Sequence, residues 1–256
     1  MSVIAIIPAR LNSSRLPGKV LLSETGKPLV VHVCEQASKA ESVDRVVVAA
    51  DSQDIIDAVE SHGFEAVMTS TEHTNGTSRL AEAADILGLK KKQHIINVQG
   101  DEPEIEPQVI QAAYGAFCGF KDGSPINIGT VVTRIVDNAE FENPNIVKAV
   151  MTGQSAGAFE TQIGRALYFS RSPVPYPRVE STIPAYRHVG IYAYTVGAIH
   201  QYLSWEPSPL ETTESLEQLR WLAHREYTIY AAYGQSSHTG IDTPEQYRAF
   251  VERQSQ

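Results

Sequence analysis

The sequence predicts an α/β fold: a mostly parallel, doubly wound sheet that carries a mixed-sheet extension. Three observations lead to it. Short β-branched apolar runs recur through the first hundred residues, as in strands buried on both faces. Segments with helical spacing alternate with those runs. After Pro107 the alternation gives way to longer strand-like runs separated by proline-rich loops.

Residues 3–7 form a continuous apolar run ending at Pro8, a buried strand that feeds a loop. Residues 28–38 place Leu29, Val33 and Ala37 at helical spacing, and residues 43–50 are the next strand, which closes a βαβ unit. Residues 54–61 read as a helix, 65–68 as a short strand, 78–87 as a helix and 94–98 as a strand. In such sheets ligands bind outside the carboxyl ends of the strands. A helix is expected over 108–117, with strands at 126–135, 146–151 and 188–194 and loops broken by Pro173, Pro175, Pro177 and Pro184. One helix over 213–226, a strand over 228–232 and a closing helix follow, the last with Thr243 as N-cap and Pro244 in its first turn. The expected parts are 1–107, 108–212 and 213–256.

The chain has 256 residues, 21 basic and 30 acidic, for a formal charge of -9. That balance argues against a nucleic-acid backbone or an anionic membrane as the main partner. Cys34 and Cys118 lack metal-ligand spacing and read as free thiols in a reducing compartment. The opening apolar run is too short for a signal peptide and lacks a basic region before it, so a cytoplasmic protein is expected.

Against this acidic background "PARLNSSRLPGKVL" (8–21) is locally basic. It is not a Walker loop, because Ser13 replaces the first glycine and Val20 follows the lysine. The Rossmann glycine fingerprint is missing too, which leaves a dehydrogenase without support. Arg10, Arg15 and Lys19, with backbone N–H groups and hydroxyls, can still surround a triphosphate; a solvated turn is the other reading. In "NVQGDEPEI" (97–105) Asp101 follows a buried strand, where a carboxylate can share a hard cation with substrate phosphates, or else cap a helix. Asp242 in "GIDTPEQY" occupies a similar place, or is an ordinary helix entry. Gly76, between Asn75 and Thr77, would let the backbone approach a flat ligand, or marks a turn. His188, Tyr192, Glu217 and Gln218 stand in apolar settings, as ligands or as satisfied structural groups.

Read in order, "IIPARLNSSRLPGK", "HTNGTSRLAE", "NVQGDEP", "NPNIVKAV", "ALYFSR", "RHVGIYAY", "PSPLETTESLEQLR" and "GIDTPE" resemble the 3-deoxy-manno-octulosonate cytidylyltransferases, or CMP-Kdo synthetases, from Ile6 to about Tyr247. The resemblance implies a nucleotidyltransferase fold of the glycosyltransferase-A type, a sugar-binding and dimerisation role for the mixed-sheet extension, and a homodimer. It also implies joining CTP to an eight-carbon sugar acid with release of pyrophosphate, for lipopolysaccharide synthesis. Carried over position by position, Arg10, Ser14, Arg15 and Lys19 resemble the triphosphate loop. Gly76 and Thr77 resemble cytosine contacts with Arg79 nearby, and Asp101 and Asp242 the Mg2+ ligands. Gln99, Arg165, His188, Tyr192, Glu217 and Gln218 resemble the sugar-acid pocket, His188 orienting substrate rather than taking its proton.

The chain departs from the family pattern at Asn75, usually Ser, at Ser78, usually acidic, and at Thr212, usually His. "RHLGIYGY" becomes "RHVGIYAY", and the loop from Pro173 to Tyr186 is short and lacks the usual Trp-Asp. These changes lie on the base and sugar sides, which raises the 8-amino analogue of Kdo as an acceptor, its ammonium met by Glu211 and Glu214. The competing readings are a CMP-sialic acid synthetase-like enzyme and a non-catalytic nucleotide-binding regulator; retention of Asp101 and Asp242 argues against the second.

Overall fold

A computed structural model describes the chain apart from residues 1, 14, 74, 120–125, 153–154, 157–161, 179–184, 225, 237–239 and 256. Its elements in chain order are β1 (Val3–Ala9), a 3-10 turn (Lys19–Leu21), α1 (Leu29–Ser38), β2 (Arg45–Ala50), α2 (Gln53–Glu60), β3 (Glu65–Met68), α3 (Gly76–Ile86) and β4 (His94–Asn97). There follow α4 (Pro107–Cys118), β5 (Ile126–Arg134), α5 (Asn138–Glu142), β6 (Lys148–Met151), β7 (Ser155–Ala156), β8 (Gln162–Ser170) and β9 (Tyr186–Thr195). The chain closes with α6 (Val196–Leu203), α7 (Pro209–Glu214), α8 (Gln218–Ala223), β10 (Tyr227–Tyr233) and α9 (Pro244–Gln254). Two compact units result, one of residues 1–111, 195–200 and 237–256, the other of residues 112–194 and 201–236.

In the first unit β1 pairs in parallel with β2 and β4, and β2 with β3, giving the order β3-β2-β1-β4. Ile4, Ile6 and Ile7 on β1 are each at most 2% exposed, so both strand faces are covered and the run needs no polar alternation. Strand order reverses between β1 and β4, so the loops leaving their carboxyl ends flank a topological switch point, where open α/β sheets bind ligands. Leu16 in the loop after β1 packs with Leu29 of α1, Ile241, and Tyr247 and Phe250 of α9. This cluster fixes the basic loop against the segment that leads into α9.

In the second unit the order is β9-β5-β10-β8-β6, with β7 on β8 and β6 also meeting β9. β10 runs parallel to β5, and the other pairings are antiparallel, the mixed sheet expected of this half. At Gly129 the β5 backbone lies close against α4: a Cβ there would lie 2.1 Å from the Ala113 carbonyl oxygen.

Most boundaries fall within a few residues of expectation. The helix expected over 213–226 is instead two. Ser208 and Glu211 form a capping box that starts α7 at Pro209, and Ser215 at φ 53 ends it in the left-handed region. β7, β8, α5 and α6 were not anticipated. α3 begins at Gly76, two residues before the expected start, because Asn75 accepts the Ser78 N–H as N-cap.

Candidate active site

Gly18, at φ 66, turns the basic loop back so that its N–H reaches the Leu11 carbonyl, and the turn Lys19–Leu21 follows. This aims the Lys19 ammonium at Asp101 Oδ2 (2.6 Å), Asp242 Oδ1 (2.9 Å) and the Ile241 carbonyl (3.1 Å). Burial works against the charge on Lys19, but the two carboxylates outweigh it and raise its pKa. Arg15 reaches the other oxygen of Asp242 at 2.8 Å from an exposed position, and Arg10 is exposed. Ser14 lies outside the described residues.

Asp101 is placed from two sides. A Cβ on Gly100 would come 2.6 Å from the Pro8 carbonyl oxygen, so the glycine lets the segment after β4 lie against the end of β1. The Asp101 carbonyl accepts the Ile241 N–H at 2.8 Å, which ties the same segment to the entry of α9. Gln99, two residues earlier, is half-buried.

Two carboxylates and a carbonyl thus converge on one cation, and that cation is a lysine of the protein. Hard oxygen donors of this kind suit Mg2+, which is commonly held by one or two carboxylates together with substrate phosphates. Among the described residues no group of three or more His, Cys, Asp or Glu side chains is arranged to hold a metal. The fit to such an ion rests on Asp101, Asp242 and the Ile241 carbonyl alone.

Gly76 and Thr77 open α3, with Gly76 beside the Pro8 ring, a would-be Cβ 3.8 Å from Pro8 Cγ. Asn75 performs the capping that the usual Ser would perform. Ser78 bonds His73, whose other ring nitrogen meets Glu82. Both departures on the base side are thus absorbed by local hydrogen bonds. Arg79 is 3% exposed and donates to Thr69 Oγ1, the Ser70 carbonyl and Asp51, so its guanidinium is used inside the protein.

Five candidates belong to the second unit. His188 Nε2 lies 3.0 Å from Thr130 Oγ1, whose one hydrogen is taken by the Ile191 carbonyl at 2.7 Å. His188 therefore donates through Nε2 and keeps Nδ1 as an acceptor. Burial, with Phe169 and Tyr192 around the ring, lowers its pKa to about 3. Tyr192 is held well above its ordinary pKa by burial and then by the charge of Glu217. Arg165 is exposed on β8, Glu217 is exposed at the start of α8 and Gln218 is buried in α8. Beside them, the two carboxylates that flank Thr212 are already engaged. Glu211 binds Arg220 through both oxygens at 2.7 and 2.6 Å, and Glu214 accepts from Ser170 Oγ and the Arg171 N–H. Sequence reasoning missed Asp51, though it stands directly after β2, an expected strand.

A family model described as cytidylyltransferase matches residues 4–229. The 3-deoxy-manno-octulosonate cytidylyltransferase of Neisseria gonorrhoeae is 43% identical over 251 residues, 94% of each chain. This chain belongs to the 3-deoxy-manno-octulosonate cytidylyltransferase family. Its similarity extends to the namesake enzyme of Idiomarina loihiensis, 40% identical over 96% of this chain and 95% of that one. Among solved structures it resembles CMP:2-keto-3-deoxy-manno-octonic acid synthetase complexed with CTP, with TM-score 0.87 and 35% identity over 100% of this cytidylyltransferase and 99% of that chain. The nucleotidyltransferase fold expected from the sequence is thereby established. Among the described residues no helix is long and apolar enough to cross a membrane.

Proposed function

We propose that this cytidylyltransferase transfers the cytidylyl group of CTP to 3-deoxy-manno-octulosonate, releasing pyrophosphate and giving the CMP-sugar for lipopolysaccharide synthesis. The observation that carries the reading is the convergence of Asp101 and Asp242 on one cation beside the basic loop at the β1/β4 switch point. The anomeric hydroxyl of the sugar acid bonds to the α-phosphorus, the bond from that phosphorus to the bridging oxygen of the β-phosphate breaks, and the hydroxyl proton passes to solvent water. Negative charge builds on the departing pyrophosphate, so catalysis is mainly positioning and charge neutralisation.

Arg10, Arg15 and Lys19, with Ser14, bind the triphosphate in this proposal, and Lys19 follows the charge onto the leaving group. Gly76 and Thr77 receive the cytosine through backbone, and Arg79 holds the first turn of α3 that carries them. Asp101 and Asp242 would hold Mg2+, which supplies charge neutralisation and a lowered hydroxyl pKa when bound. Gln99, Arg165, His188, Tyr192, Glu217 and Gln218 bind the sugar acid. His188, neutral at physiological pH, offers Nδ1 as an acceptor for a sugar hydroxyl and leaves proton removal to other groups. We further propose a cytoplasmic homodimer.

The ordinary sugar acid is favoured over its 8-amino analogue, because Glu211 and Glu214 already have cationic or hydrogen-bonding partners in the protein. Pyrophosphate release with CTP, Mg2+ and each of three acceptors tests the proposal. Turnover with 3-deoxy-manno-octulosonate is expected to exceed that with its 8-amino analogue and with sialic acid. Release with sialic acid alone, or with no sugar acid, refutes it.

A further inference from the structure

Asp51 follows β2 directly and touches both halves of the nucleotide side. One carboxylate oxygen accepts the Leu11 N–H at 2.8 Å, next to Arg10 in the basic loop. The other lies 3.3 Å from the Arg79 guanidinium, and the two side chains are only 8% and 4% exposed. Arg79 in turn grips Thr69 Oγ1 at 2.7 Å and the Ser70 carbonyl at 3.2 Å, and Thr69 Oγ1 donates to the Ala50 carbonyl at the end of β2. One carboxylate therefore ties the loop after β1 to the first turn of α3.

Charge gives this joint a second task. Arg10 is close enough for its charge to act on buried Arg79, adding to the burial that lowers the Arg79 pKa, while Asp51 and Glu82 oppose it. Without the anion at Asp51, the Leu11 N–H loses its charged acceptor and two cations repel across the same spot. The exposed cation, Arg10, is the one free to move away.

We propose that Asp51 is a positioning residue for the nucleotide: through Leu11 it sets Arg10 toward the triphosphate, and through Arg79 it sets the turn Gly76–Thr77 beneath the base. The inference rests on the assignment of the basic loop to the triphosphate. Asp51 touches no reacting atom in it. Its action falls on CTP alone, so the sugar acid should be bound as before.

Steady-state kinetics on Asp51→Asn, Arg10→Ala and the double variant test it. Asn keeps the volume and an acceptor for Leu11 but turns a donor or a neutral dipole toward Arg79. Loss of one charge-assisted contact predicts a rise of about tenfold in KM for CTP, with KM for the sugar acid unchanged. Because one of the two routes from Asp51 runs through Arg10, Asp51→Asn should raise KM for CTP by a smaller factor in the Arg10→Ala background than in the unsubstituted protein, the remainder being the Arg79 share. Arg79→Gln approaches the joint from its other side and should raise the same KM if Asp51→Asn does not fold. A fall in kcat or melting temperature with both KM values unmoved would show a merely structural residue and overturn the inference. If Arg10→Ala itself leaves KM for CTP unchanged, the loop assignment fails; if it raises KM while Asp51→Asn and Arg79→Gln do not, only the inference about Asp51 fails.

Discussion

Lys19 Nζ lies 2.6 Å from Asp101 Oδ2 and shares its charge with Asp242, so the loop after the first strand and two carboxylates far apart in sequence meet at one point. The lysine holds the carboxylates at the spacing of a single cation. In the proposed function it also marks where charge compensation must change when phosphates arrive, since an ammonium bound to two carboxylates has less to offer a third anion.

Asp101→Asn is expected to leave the fold intact and remove turnover. The amide keeps the shape, Lys19 retains Asp242, and the partly exposed ion pair contributes little to stability. A metal ligand contributes several kcal/mol to the transition state, so the rate should fall about a hundredfold or more. Pyrophosphate release and a melting curve check both halves; near-native turnover would refute the assignment of Asp101 to Mg2+.

Lys19→Ala should reduce turnover by the same factor with 3-deoxy-manno-octulosonate and with its 8-amino analogue, because the proposed function places the lysine on the nucleotide. Removing a charged hydrogen-bond donor predicts a loss of about tenfold or more. Unequal losses with the two acceptors would move this loop to the sugar side.

The first sheet was legible from β1, whose residues 3–7 are buried on both faces and read as an unbroken apolar run that needs only short-range information. Asp101 and Asp242 were legible for a related reason, each standing beyond an expected strand. What joins them was not, since the Lys19 contacts depend on Leu16 and Ile241 packing in one cluster across the whole chain. The α7–α8 break was hidden because Ser215 enters the left-handed region without a glycine to signal it. The burial of Arg79 against Asp51 was not legible, because a lone Arg on a helix gives no sign of the anion that will pair with it.

Gly100→Ala tests the approach that sets Asp101. The added Cβ would meet the Pro8 carbonyl oxygen at 2.6 Å, and backbone cannot swing aside as a side chain can. Overpacking of this kind costs about 1–3 kcal/mol. The strand ends must part, which moves Asp101 from Lys19, so turnover should fall more steeply than stability. Denaturant unfolding beside kinetics separates the two; a stable variant with native rates would show that Asp101 tolerates the shift.

His188 has a definite pH signature. Burial lowers its pKa from 6.5 to about 3, so between those values the unfolded chain holds a proton that the folded protein lacks. Its contribution to stability is complete above pH 6.5 and is lost as the pH falls toward 3. His32, lowered to about 4 by burial and by Lys27, acts in the same direction. In His188→Gln the decline in unfolding free energy from neutral to about pH 5 should be shallower than in the unsubstituted protein, with the His32 share remaining. Parallel curves would mean that His188 is open to protons in the folded state.

Glu211→Ala separates the structural from the sugar-binding reading of the segment around Thr212. Glu211 and Arg220 are 10% and 9% exposed, joined through two hydrogen bonds, with the guanidinium 4.2 Å from the centre of the Tyr202 ring. Glu211 also accepts the Ser208 N–H in the capping box that starts α7. Truncation strands a buried cation, which costs about 3–5 kcal/mol, and frees the first turn of α7. The melting temperature should drop by about 10 °C. The carboxylate is fully used inside the protein, so kcat/KM for 3-deoxy-manno-octulosonate and for its 8-amino analogue should keep their ratio in the folded fraction. A selective loss with the amino sugar would mean that Glu211 leaves Arg220 to meet the ammonium, and the preference for the ordinary sugar acid would then have to be reversed.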